Sequence, residues 1–126
     1  MSPRKNQSQT KTTSRSKATI KRPGVMNRLE TRYSEHLESL REAGEIVRWD
    51  YEPEKFRLAK ATFYTPDFRV VTKEHFIELH EVKGFWRGPG GQNGRTKLKV
   101  ASEMHPYRFI AVQWKDKAWV YEYFDG

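Results

Sequence analysis

Apolar positions set the elements. From Asn27 onward, Leu29, Tyr33, Leu37 and Leu40 recur at helical spacing, and the pattern stops at Gly44. Asn27 suits a helix N-cap and Gly44 a C-terminal stop, so the spacing predicts one amphipathic helix between them. Ile46 to Tyr51 then reads as a strand ended near Pro53, and Phe56 to Leu58 and Thr62 to Tyr64 as short extended pieces. Two stronger apolar runs, Phe68 to Val71 and Phe76 to Val82, flank the polar Thr72, Lys73, Glu74 and His75 and predict a hairpin. The stretch Gly88 to Gly94 reads as a mobile loop, and it lacks the Lys followed by Ser or Thr that a phosphate cradle requires. Arg95 to Met104 is predicted as a helix halted before Pro106, followed by closing strands Tyr107 to Trp114 and Ala118 to Phe124 around a turn containing Asp116. This order predicts an α/β fold, a single domain with a mixed sheet flanked by helices.

Composition adds an appendage to that domain. The chain has 126 residues and a formal charge of +8, and its length supports one compact domain. Residues 1–25 hold seven cations (Arg4, Lys5, Lys11, Arg15, Lys17, Lys21 and Arg22) and no acid, which leaves about +1 for residues 26–126. Rich in Ser and Thr and without apolar periodicity, residues 1–25 read as a disordered basic arm attracted to a polyanion, with nucleic acid favoured over a membrane surface. The domain then spans 26–126. No run approaches the roughly 20 apolar residues of a membrane span, and the N-terminal stretch has no apolar signal core, so a soluble cytoplasmic protein is expected. The absence of cysteine excludes disulfides, thiolate zinc sites and cysteine nucleophiles. His36, His75, His80 and His105 follow no metal-ligand spacing, and His80 reads as a strand residue with no nucleophile to serve.

The candidate chemistry lies at the ends of the predicted hairpin. Pro66 and Asp67 open one strand; Glu81, Val82 and Lys83 end the other. A turn about Lys73 and Glu74 sets Asp67 opposite His80 or Glu81. Alternation puts Glu81 and Lys83 on one side and Val82 on the other, and a one-residue bulge is expected to bring the three charges together. Two converging carboxylates are costly without a cation, and a hard ion such as Mg²⁺, held by Asp67 and Glu81, answers that cost. Lys83 then suits electrostatic stabilisation and positioning better than proton abstraction, because neighbouring carboxylates favour its charged form. On pattern alone, a solvated Glu-x-Lys face and a Pro-Asp turn are equally open readings.

Thr65-Pro66-Asp67-Phe68 followed by Glu81-Val82-Lys83-Gly84-Phe85-Trp86 resembles the PD-(D/E)xK nuclease superfamily, in particular the phage endonuclease I type of Holliday-junction resolvase and related small phage proteins. Upstream, Leu29-Glu30-Thr31-Arg32-Tyr33 is similar to the helix that carries the family's third acidic residue, and Gly44 to Glu52 to its next strand. The resemblance covers residues 27–86, with weaker similarity beyond. It implies a restriction-endonuclease-like fold with Asp67, Glu81 and Glu30 as metal ligands and catalytic carboxylates. It also implies a ligand from the Val82 carbonyl, Lys83 as the catalytic lysine, Mg²⁺ with Mn²⁺ as a substitute, and a 5′-phosphate product. The implied setting is a phage or prophage enzyme in the bacterial cytoplasm, acting as a homodimer on branched DNA.

Outside the site, Arg95, Lys97 and Lys99 near a helix start are expected to meet the DNA backbone through charge and helix dipole, with Arg87 and Trp86 flanking the cleaved strand. The basic extension is N-terminal here, whereas in the resolvases it is C-terminal. A nicking, repair or transposon-end nuclease on the same scaffold therefore stays open, as do an RNA substrate and a non-catalytic nucleic-acid-binding protein.

Overall fold

A computed structural model describes residues 24–84 and 88–124 of the chain; the basic arm, apart from Gly24 and Val25, lies outside the described residues. Helix α1 spans Arg28–Glu42. Strands β1 (Ile46–Tyr51), β2 (Phe56–Ala59), β3 (Thr62–Tyr64), β4 (Phe68–Thr72) and β5 (Ile77–Lys83) follow, then α2 (Gly88–Met104), β6 (Arg108–Lys115) and β7 (Ala118–Phe124). The main sheet is ordered β1-β4-β5-β6-β7, while β2 and β3 form a separate two-stranded sheet. Among the described residues only β5 and β6 run parallel, across the α2 crossover; the other pairings are antiparallel, so the sheet is mixed as expected.

The two faces of the sheet are read off strand alternation. Val82, Ile110 and Val112 pack with Phe68 and Val70 against Tyr33 and Leu37 of α1. Leu79, Phe109 and Ala111, one residue out of phase, pack against Leu98 and Ala101 of α2 and against Phe56, Leu58 and Tyr64 of the β2–β3 hairpin. The result is an α/β sandwich with a helix on each face and β5 buried in the middle. Among the described residues no helix is long and apolar enough to cross a membrane.

Local chemistry explains the element ends. Asn27 caps α1 in a reciprocal box: its side chain accepts the Glu30 amide at 2.8 Å, and Glu30 Oε1 accepts the Asn27 amide at 2.9 Å. Gly44 follows the C-cap with φ +79°, a conformation that costs glycine little, and the Glu45 amide returns to the Leu40 carbonyl at 2.9 Å. Asp116 and Lys117 both have positive φ, as the tight turn between β6 and β7 requires.

Two expectations need correction. Gly88 to Gly94 is not a loop but the first two turns of α2, so the helix starts seven residues before Arg95. Pro89 fits there, since the first helical turn leaves its amides unpaired in any case, and the weak helix preference of the glycines is overridden by a C-terminal half anchored through buried Leu98 and Ala101. The β4–β5 hairpin also carries no bulge: Phe68 pairs with His80 and Val70 with Glu78 in unbroken register. Opposed residues of an antiparallel pair share a face, so Asp67 and Glu81 converge without one.

Candidate active site

Each carboxylate of the site is held by a different element. Asp67 immediately precedes β4; its carbonyl accepts the Glu52 amide at 2.7 Å, which continues the β1–β4 ladder, and its Oδ2 accepts the Val82 amide at 2.9 Å. Pro66 beside it is fully buried and fixes the approach to the strand. Glu81 lies on the α2 face of β5, where the Tyr64 hydroxyl donates to its Oε1 at 2.8 Å and Lys83 Nζ stands 3.6 Å from its Oε2. Glu30 arrives from the first turn of α1 and receives, besides the capping amide, the Tyr51 hydroxyl at 3.0 Å.

These groups converge. Glu30, Asp67, Glu81, Val82 and Lys83 line one cavity together with Asn27, Arg28, Leu29 and Gly84. The three acids are only 2%, 3% and 9% exposed, whereas the Lys83 side chain is 43% exposed at the rim. The Glu30 carboxyl adjoins Asp67 and disfavours a second negative charge there. Burial pushes the Asp67 carboxyl up to about 8, with the Glu81 charge and the Glu30 contact adding to the rise and the Val82 amide opposing it. Burial, reinforced by Glu81, also raises the Tyr64 hydroxyl well above the usual tyrosine range, so it stays a donor.

The donor set is hard oxygen, three carboxyl groups beside Arg28 and Lys83, and suits Mg²⁺ or Mn²⁺ rather than a soft metal. Among the described residues, no three Asp, Glu or His side chains stand arranged to hold an ion as they are. A bound ion would take the place of the proton that burial, with Glu81 and Glu30 nearby, favours on Asp67. The residues fit the ion by chemistry and burial, with Asp67, Glu81 and Glu30 as the groups that would hold it.

The expected nucleic-acid contacts divide. Lys97 lines a second recess with Glu81, Lys83, Tyr64, Thr65, Phe63 and Gly94. Arg95 is instead ion-paired to Glu122 on β7 and stands over the Phe124 ring, 5.9 Å from its centroid. Because α2 begins at Gly88, Arg95, Lys97 and Lys99 also lie beyond the first turn, where the helix dipole no longer assists an anion. Lys99 is exposed on α2. Trp86 and Arg87 lie outside the described residues.

Several supporting residues escaped the sequence. Glu30 reads there as a solvated charge or a family match, but the capping box, Asn27 followed three residues later by Glu30, was a local signal that its side chain turns inward. Tyr64 and Tyr51 are ordinary strand aromatics until tertiary pairing aims their hydroxyls at the acids. His80 does have partners: its Nδ1 lies 2.7 Å from the Tyr33 hydroxyl and its Nε2 3.0 Å from Glu78 Oε1, in a buried pairing on the α1 face. No protein-family model, curated protein or solved structure matches this chain.

Proposed function

We propose that this protein is a metal-dependent endonuclease that hydrolyses DNA phosphodiester bonds, acting in the cytoplasm on branched DNA such as four-way junctions. The observation that carries the reading is the convergence of three buried carboxylates and one exposed lysine on a single cavity, drawn from α1, the start of β4 and the end of β5. Burying three acids is unfavourable for a fold that uses them only for support. The arrangement coincides with the residues that the superfamily resemblance selects.

Each side chain has a task in such a reaction. A bound Mg²⁺ would supply Lewis-acid stabilisation of the phosphoryl oxygens and make the attacking water more acidic. Asp67, Glu81 and Glu30 hold and orient; the Val82 amide fixes Asp67, the Tyr64 hydroxyl fixes Glu81, and the Tyr51 hydroxyl with the N-cap fixes Glu30. Lys83, charged and exposed at the rim, stabilises the negative charge that develops on the phosphoryl group. The product expected from the resemblance carries a 5′-phosphate. Two strands of a junction need two sites, so a homodimer is the form proposed to act.

The test is incubation of the purified protein with a labelled four-way junction and a matched linear duplex, with Mg²⁺ or a chelator, beside Asp67→Ala and Lys83→Ala variants. Junction-selective, metal-dependent cuts lost in both variants are the expected result. Equal cutting of the duplex would remove the branch preference. Tight binding without any cutting would replace the nuclease by a non-catalytic nucleic-acid-binding protein.

A further inference from the structure

The β2–β3 hairpin is the part of the fold that the proposed chemistry does not use beyond Tyr64. Its sequence is one-sided: residues 55–66 contain Lys55, Arg57 and Lys60 and no acid. Its inner side packs Phe56, Leu58 and Tyr64 into the α2 core. Its outer side holds Phe63, a large aromatic ring left 48% exposed, immediately before the tyrosine that fixes Glu81. Lys55 Nζ stands over the Phe63 ring, 5.6 Å from the centroid. The same ring borders a recess of about 330 Å³ whose other walls include Glu81, Lys83 and Lys97.

We infer that this recess is a subsite for one unpaired nucleotide next to the phosphate to be cut. Phe63 stacks on its base, and Lys55, Lys83 and Lys97 meet the adjoining phosphates. The inference rests on the nuclease reading above and names the substrate feature that the site selects. An exposed aromatic ring offers a base its π-face, but a base inside a duplex already has both faces stacked, so stacking favours an unpaired nucleotide. The recess matches the smaller end of ligand-site volumes, a size suited to one nucleotide rather than to a duplex groove. The charges agree: the cations at Phe63 and along the recess face a polyanion, and Lys97 has no carboxylate partner among the described residues. The selected substrates are flaps, gaps and junctions with a frayed nucleotide.

The test uses the full chain and two DNA probes carrying the fluorescent base 2-aminopurine, one unpaired at a one-nucleotide gap and one fully paired. Binding is followed in chelator, where no cutting is expected, for wild type, Phe63→Ala and Phe63→Trp, with thermal melts to compare folding. Wild type should quench the unpaired probe and bind the gapped DNA about tenfold more tightly than the paired DNA, the scale of one base–aromatic stack. Phe63→Ala should lose both the quench and the preference, and Phe63→Trp should keep them. Equal behaviour of Phe63→Ala and wild type overturns the subsite. The nuclease reading is judged separately by adding Mg²⁺ to wild type with both probes and a labelled four-way junction: cutting of any of the three supports it, and cutting of none overturns it whatever Phe63 does.

Discussion

The Tyr64 hydroxyl donates to Glu81 Oε1 at 2.8 Å, joining the inner side of a small hairpin to the acid in the central strand. Both groups are buried, so removing the hydroxyl leaves a carboxylate oxygen short of a donor, at a cost of about 1–3 kcal/mol. Tyr64→Phe should therefore lower the melting temperature by several degrees and reduce kcat for DNA cleavage more than it weakens DNA binding. Differential scanning calorimetry and single-turnover cleavage measure the two effects. An unchanged kcat would mean that Glu81 needs no such anchor.

Lys83 supplies charge at the rim without bearing on the core. Its side chain is 43% exposed, so Lys83→Met should leave the unfolding free energy within about 0.5 kcal/mol of wild type. Cleavage should fall by about 100-fold or more, the usual scale for losing a group that stabilises transition-state charge. Cleavage near the wild-type rate would remove Lys83 from the reaction.

The raised Asp67 carboxyl makes stability depend on pH. Its proton is retained in the fold up to about 8 but is lost near 4 in the unfolded chain, so the unfolded state binds fewer protons between those values. Stability of the metal-free protein should fall as pH rises from about 4 to 8 and level off above. Asp67→Asn, neutral throughout, should flatten this dependence and melt higher than wild type at pH 8. Melting curves in chelator across that range provide the check; a wild-type stability that rises from pH 5 to pH 8 alongside an equal rise in Asp67→Asn would contradict it.

Tyr33 and His80 form a buried pair on the other face, with the hydroxyl 2.7 Å from Nδ1. Tyr33→Phe should destabilise the fold by about 1–3 kcal/mol through the unpaired ring nitrogen. Cleavage per folded molecule should stay unchanged, because the pair borders α1 and not the acid cavity. A selective loss of activity in a well-folded variant would instead place His80 in the reaction.

Much of this was legible because it is local. The α1 periodicity, the Gly44 stop, the two flanks of the β4–β5 hairpin and the Asp116 turn are each written within a few residues, and the hairpin register set Asp67 opposite His80 or Glu81, although the bulge expected there is absent. What failed depended on longer range. The start of α2 at Gly88 could not be read from a run of glycines, because the packing of Leu98 and Ala101 anchors the helix from its other end. The pairing of Arg95 with Glu122 joins residues that only the β6–β7 hairpin brings within reach. The hydroxyls of Tyr51, Tyr64 and Tyr33 likewise acquire meaning only when separate elements meet. Phe63 shows no periodic signal at all; its importance comes from exposure beside a recess, which a sequence does not display.

Calorimetric titration of Mg²⁺ or Mn²⁺ into wild type, Asp67→Asn and Glu81→Gln asks whether Asp67, Glu81 and Glu30 hold a divalent metal. Near pH 7, in two buffers of different ionisation enthalpy, wild type should bind the ion with release of a proton, displaced from Asp67, and both variants should lose that binding. Binding that is absent in wild type, or equal in all three proteins, would mean that these acids hold no metal.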